Sequence, residues 1–416
     1  MKKILAIVLT VGILLRVFLS MTTYHADVAA LGFAGKIISQ GNISNFYDFL
    51  GNLPEDDPYL AVYPKDLFIY PPTIYFLNGL FAKLTNWMIS PEVLNNFTLN
   101  FTSTLGNSQL NLYLLLLKLP YFAFDIASVF VLMALFKDEK KKMLAFIVWI
   151  FNPVSIYATY MMGQFDIIPT FFVILAMYLA MKREKIYLAS LMLGIGMSFK
   201  IYPLLFLIPL ALTKDKWIDR IKVFVLGILP YILSVLPFIF SKGFRASALV
   251  AGQTTKSLYA ILPISGGESI MIYLAAIIFV YIVFLFSENK LENLWQKFFI
   301  ISSLFFIFTH YHPQWFTWIT SFIIIDLVKN GAKRWPIILL ALVSWLGLVT
   351  FFDPGLTTWL FAPLVPNLWG KPGLWELVGV NLDINIARSY LQTVFAAVGF
   401  YYIYNYFPRK NENIAK

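Results

Sequence analysis

The feature that most constrains this chain is a succession of about twelve apolar runs, each near the length that crosses a bilayer as a helix. They fall at 4–20, 112–136, 143–162, 167–181, 186–199, 201–213, 222–240, 270–287, 297–312, 314–328, 335–352 and 389–406. Hydrocarbon offers backbone N–H and C=O groups no partner, so such runs satisfy themselves as helices. Composition agrees: 59% of residues are hydrophobic and only 13% charged, with a mean hydropathy of +0.74, against about 25% charged in a soluble domain. The expected fold is an all-α polytopic membrane protein, one domain over 1–416. Runs 186–199 and 201–213 are short and read as a broken hairpin. The chain contains no cysteine, which excludes a disulfide framework and any thiolate metal site. The N-terminus has the charged start and apolar core of a signal peptide, but "FLSMTTYHAD" offers no small-x-small cleavage pattern, so it reads as a retained first helix.

Loop charges orient the helices. The segments 1–3, 137–142, 182–185, 213–222, 287–297, 329–334 and 407–416 hold 21 of the 32 Lys and Arg residues and only eight of the 22 acids. That asymmetry follows the positive-inside rule and places both termini in the cytoplasm. The net charge of +10 is thus largely topological, and nucleic acid is not an expected partner. "FIYPPTIYFLNGLFAKLTNWMI" (68–89) is apolar enough to cross, yet crossing would leave the run Lys137–Lys142 outside. It reads instead as a juxtamembrane helix that lies along the outer face or dips partway into the membrane. The first exterior loop then runs from about 21 to 111, a length that suits a functional role. No period of 20–50 residues and no match between halves is visible, so the inverted repeats common in transporters are not in evidence.

Under this topology the polar residues collect at one level. All three histidines (His25, His310 and His312), Asp27, the Gly163–Asp166 turn, Lys200, Arg245, Gln253 and Lys256 fall at the outer face. Asp27 precedes a short expected helix, Val28–Ser39, which Gln40-Gly41 ends. Two roles fit it: an ordinary N-cap, or a carboxylate that takes a proton from an acceptor hydroxyl. "NPVSIYATYMMGQFD" (152–166) ends in an exterior turn where Asp166 caps the next helix, or where Gln164 and Asp166 bind sugar hydroxyls or position the base. In "FKIYP" (199–203) a lysine sits within otherwise pure membrane sequence. Lys200 either snorkels to the interface or, with Tyr202 beside it, meets a lipid phosphate near the outer face. "FTHYHPQWFTWIT" (308–320) is an interfacial aromatic belt or a sugar and phosphate site built from His310, His312 and aromatic faces. His-x-His alone lacks a third ligand for zinc, and "PEDDPY" (54–59) reads as a solvated turn.

Together these stretches resemble the GT-C membrane glycosyltransferases, and among them the mannosyltransferases of the glycosylphosphatidylinositol-anchor type and their bacterial polyprenyl-phosphomannose-dependent relatives. The residues that carry the likeness are Asp27 in a large first exterior loop, "YPPTIYFLNGL" (70–80), "LKLPYFAFDIASVFVLMALF" (117–136), the "GQFD" turn, "LGIGMSFKIYPLLFLIPL" (193–210) and "HYHPQWFTW" (310–318). The resemblance implies a GT-C-like fold of about 12 transmembrane helices. It also implies inverting transfer of a hexose, with mannose the family default, from a polyprenyl-phosphate carrier to a lipid or glycan acceptor on the non-cytoplasmic face. Asp27 is then the general base, and Lys200, Tyr202, His310, His312, Gln164, Asp166, Arg245 and His25 bind donor phosphate and substrate. No cofactor is implied, and a divalent metal is optional. Relatives of this type often carry Asp-x-Asp in the first loop, whereas here Val28 and Ala29 follow Asp27, which leaves His25 as the one neighbouring partner. The alternative reading is a transporter or flippase of lipid-linked sugar, for which the intramembrane acids Asp125 and Asp326 are the best argument.

Overall fold

The computed structural model describes residues 2–249, 255–380 and 382–408, and Gln253 lies outside them. The protein is an all-α polytopic membrane protein. Each of the twelve apolar runs carries a helix, and five helices are long and apolar enough to cross a bilayer alone: Lys3–Thr22, Ser108–Ala134, Glu139–Met161, Trp217–Phe238 and Leu291–Phe308. Four apolar helices are shorter, Ile186–Phe199, Tyr202–Ala211, Ile272–Leu285 and Trp335–Thr350.

Helix α1 (Lys2–Thr22) shows how sequence becomes orientation. Ile4, Ile7, Val11, Leu14 and Phe18 repeat at three- and four-residue spacing and are exposed, as a stripe facing lipid requires. The opposite face buries Arg16 and Ser20. After α1 the first loop folds into α2 (Ala26–Ser39), α3 (Pro72–Thr85) and α4 (Pro91–Leu99). The expected helix in 68–89 is α3. At 14 residues it is shorter than a membrane crossing, and it packs along α2.

Helices α5 (Ser108–Ala134) and α6 (Glu139–Ile150) lead into a short α7 (Pro153–Ser155) and a π-turn at Ile156–Met161. Then come α8 (Ile167–Arg183), α9 (Ile186–Phe199), α10 (Leu207–Ala211) and α11 (Trp217–Val235). The break expected between 186–199 and 201–213 is Lys200 itself, whose extended backbone (φ −158°, ψ 132°) ends α9. Helix α9 packs closely on α11: a Cβ at Gly194 would stand 2.2 Å from the Gly227 carbonyl oxygen, so the crossing admits only glycine.

One element was not foreseen. Ile261–Ser265 (β1) and Glu268–Met271 (β2) form an antiparallel hairpin, in a stretch with no helical period. Beyond it stand α12 (Ile272–Leu285), α13 (Leu294–Phe308), α14 (Thr317–Asn330) and α15 (Trp335–Thr350), then α16 (Leu374–Leu377) and α17 (Ile384–Tyr406). Helix α17 packs against α13 and α15.

Two intramembrane acids are paired within the bundle. Asp125 is fully buried: its Oδ2 accepts from Arg16 Nε at 2.7 Å and the Tyr160 hydroxyl at 2.6 Å, and its Oδ1 from Trp149 Nε1 at 2.8 Å. Asp326 accepts on Oδ1 from Arg334 and Asn330 at 2.7 and 2.8 Å and from the Tyr406 hydroxyl, while its Oδ2 has no partner among the described residues.

Candidate active site

Asp27 occupies the first turn of α2. His25, not Asp27, is the N-cap: its Nδ1 accepts the Asp27 backbone N–H at 3.2 Å, an unusual substitute for the Ser, Thr, Asp or Asn normally found there. The N-cap reading of Asp27 is therefore corrected, and its side chain is left available. That carboxylate is about half exposed, with Oδ2 accepting from Gln164 Nε2 and lying 3.5 Å from His25 Nδ1. The neighbour that "HADVA" suggested for Asp27 is thus present as His25.

The Asp27–Gln164 contact joins segments 137 positions apart, and three local features impose it. The π-turn at Ile156–Met161 is followed by Gly163 at φ +70°, a conformation that favours glycine. A Cβ there would come within 2.2 Å of Val28 Cγ2, so the turn presses directly on the start of α2. Behind both lies fully buried Lys118, whose Nζ donates to the Thr23 and Ser20 carbonyls at 2.7 and 3.1 Å and reaches the Met161 carbonyl at 3.4 Å. One amine thus ties the end of α1 to the chain leading into the turn. Sequence reasoning missed Lys118, since in "LKLPY" nothing distinguishes it from a snorkelling lysine.

Asp166 faces the other way from the same turn. It stands at the N-cap position of α8, but its side chain makes no capping bond. Fully buried, its Oδ1 accepts from Lys200 Nζ at 2.7 Å and from Trp318 Nε1 at 2.6 Å, while its Oδ2 has no partner among the described residues. Lys200 does not snorkel. Its ammonium is buried 5.1–5.3 Å from the ring centres of Tyr70, Phe165, Trp315 and Trp318, within range of cation–π attraction. Tyr202 stacks on Trp318 at 4.2 Å, Trp318 stacks on Trp315 at 5.2 Å, and the Tyr202 hydroxyl meets Thr170 at 3.1 Å.

These residues wall a largely apolar cavity of about 260 Å³ that opens between Tyr70, Lys200, Tyr202, Trp315 and Trp318. Burial and the Asp27 and Asp166 carboxylates push the Tyr70 hydroxyl well above its ordinary pKa, so both acids act on a single wall of the cavity. Trp315 and Trp318 come from "HPQWFTW", where the spacing of three puts both indoles on one side of the chain. That spacing was the available signal within the stretch read as either an aromatic belt or a sugar and phosphate site.

His312 stands next to Trp315, with ring centres 5.3 Å apart, and its Nε2 lies 3.2 Å from Lys256 Nζ. Burial first, then Lys256 and other cations, push its pKa down to about 3. Burial, Lys256 and Arg388 lower that of His310. At neutral pH both imidazoles are uncharged, so they offer a phosphate hydrogen bonds rather than ionic contacts. Arg245 is exposed on the turn Phe244–Ala248 and joins none of these contacts among the described residues. No three His, Asp or Glu side chains converge as a metal-ligand set among the described residues.

Residues 160–249 match the family model for mannosyltransferase (PIG-M). The resemblance read from the sequence therefore holds over this segment, which contains Gln164, Asp166, Lys200, Tyr202 and Arg245. Asp27, His25, His310 and His312 lie outside it. The chain is also similar to GPI mannosyltransferase 1 of Candida albicans, at 27% identity over 95 residues. That match spans 22% of this chain and 24% of the relative's length, so the chain covers about a quarter of the curated relative.

Proposed function

We propose that this protein transfers a hexose, by default mannose, from a polyprenyl-phosphate carrier to a hydroxyl of a lipid or glycan acceptor on the non-cytoplasmic face. The observation that carries the reading is the Asp27–Gln164 contact. It sets a water-accessible carboxylate beside a turn whose next acid holds Lys200 at the rim of an aromatic cavity. The apolar wall suits an isoprenoid tail, and the Tyr202–Trp318–Trp315 stack offers flat faces for a sugar ring. As the acceptor oxygen bonds to the anomeric carbon, the carbon–phosphate oxygen bond breaks and its electron pair leaves with the phosphate. Asp27 takes the acceptor proton. Lys200 stabilises the charge that builds on the phosphate, in a low-dielectric setting where one cation counts most. Gln164, Asp166 and His25 position these two groups. Asp125 supports transfer over transport: the acid that a transport path would use is closed in by Arg16, Trp149 and Tyr160.

The test is label transfer from polyprenyl-phosphate hexoses into membrane lipid extract by purified protein in liposomes. Wild type is expected to form a new labelled product, and Asp27→Asn to lose about 10²- to 10⁴-fold in rate with an unchanged melting temperature. Full activity in Asp27→Asn would remove that residue as the base. Movement of lipid-linked sugar between leaflets without transfer would replace the reading with transport.

A further inference from the structure

A second cleft lies beyond His312, away from the aromatic cavity. It is open, about 490 Å³ in volume, and formed where the end of α13 and the following residues 309–311 face the first turns of α17. Its polarity is unlike that of the first cavity. Arg388 is held rigidly, with its Nε donating to the Phe351 carbonyl at 2.6 Å and its guanidinium lying 4.6 Å from the centre of the Phe352 ring. That leaves both terminal Nη groups without a partner among the described residues. His310 is exposed beside it. Asp353 is the one acid close enough to act on Arg388, and its Oδ1 is already engaged by the Gly355 backbone N–H.

Two further side chains point to a ligand. Thr309 and Tyr311 are only 2% and 4% exposed, yet their hydroxyls have no hydrogen-bond partner among the described residues, and both line this cleft. Leaving a buried hydroxyl unmet costs on the order of 1–3 kcal/mol, so two such hydroxyls on residues that line the cleft, together with an unfilled guanidinium fork, favour an acceptor-rich guest. A guanidinium fork matches the paired oxygens of a phosphate. Below the polar mouth the walls turn apolar, with Ile307, Phe308 and Leu348, which suits an acyl chain attached to that phosphate.

We propose that this cleft binds the phosphate-bearing headgroup of an anionic phospholipid, at a site separate from the aromatic cavity. Arg388 clasps the phosphate, the Thr309 and Tyr311 hydroxyls donate to its oxygens, and the apolar wall takes the first part of the acyl chain. No residue of the Asp27 or Lys200 clusters takes part; of the residues named for donor binding, His310 alone lines this cleft.

The experiment is native mass spectrometry of the full chain released from vesicles of phosphatidylcholine and phosphatidylglycerol, with melting temperatures measured alongside. Wild type is expected to retain phosphatidylglycerol in preference to phosphatidylcholine. Arg388→Gln is expected to lose roughly tenfold of that preference, and Tyr311→Phe severalfold. Because Arg388 also anchors Phe351, Tyr311→Phe is the safer variant. It deletes only an unpartnered hydroxyl, so without lipid its melting temperature should equal or exceed that of wild type. Equal retention by wild type and Tyr311→Phe, in protein that melts normally, would overturn the proposal. So would stabilisation by inorganic phosphate alone with no retained lipid, which would make the cleft a site for the free ion.

Discussion

Two buried ion pairs sit in the same bundle and are built on opposite plans. In the Arg16–Asp125 pair both partners are fully buried, and each carboxylate oxygen is engaged, by Arg16, Trp149 and Tyr160 between them. In the Lys200–Asp166 pair both donors, Lys200 and Trp318, converge on one oxygen. The other oxygen is unpartnered, and Lys200 lines a cavity. A carboxylate with both oxygens engaged has none left to offer a ligand and fixes helices to one another. A half-filled pair beside a cavity holds charge in readiness. An unpartnered second oxygen is not enough by itself, since Asp326 has one too; what sets the Asp166 pair apart is that its cation also lines a cavity.

The comparison can be broken most directly by removing each cation. Arg16→Met strands a carboxylate in a closed interior, and a loss of about 3–5 kcal/mol is expected, read as a sharp drop in melting temperature in detergent. Lys200→Met should destabilise less, since Asp166 keeps Trp318, but it should slow transfer by about 10²- to 10³-fold. Equal destabilisation by the two variants would sink the distinction.

The indoles sharpen it. Trp318→Phe and Trp149→Phe each delete one donor to a buried carboxylate, a contact of about 1.5–3 kcal/mol. The first is expected to fall on turnover and the second on melting temperature, with activity per folded molecule retained. A melting loss in both, with turnover untouched, would return the Lys200 cluster to a structural role.

The smallest effect is a pH dependence at His312. Its folded pKa near 3 lies far below the ordinary imidazole value, so between about pH 6.5 and 3 the unfolded chain binds the proton that the folded chain refuses. Stability then falls as pH drops through that window, by less than about 1.4 kcal/mol per unit. His312→Gln lacks this liability, and its melting temperature should gain on wild type as pH is lowered from 7 to 5. A constant gap would mean that His312 is not held neutral.

The sequence by itself determined the membrane class and the helix positions. Apolar length and loop charge are local properties, and a bilayer reads them one segment at a time. It also singled out Asp27, Gln164, Asp166 and Lys200, since charge is costly in such surroundings and stands out against them. Only the tertiary structure decided partners. Asp27 meets Gln164 across 137 positions, and Asp166 meets Trp318 across 152. The cage around Lys200 draws rings from positions 70, 165, 315 and 318. The hairpin at Ile261–Met271 and the clamp of Lys118 on the end of α1 were likewise invisible. Such contacts depend on which helix faces meet. Aromatic and apolar residues cover every face of these helices, so periodicity marks the lipid side of α1 yet does not say which neighbour each inner face touches.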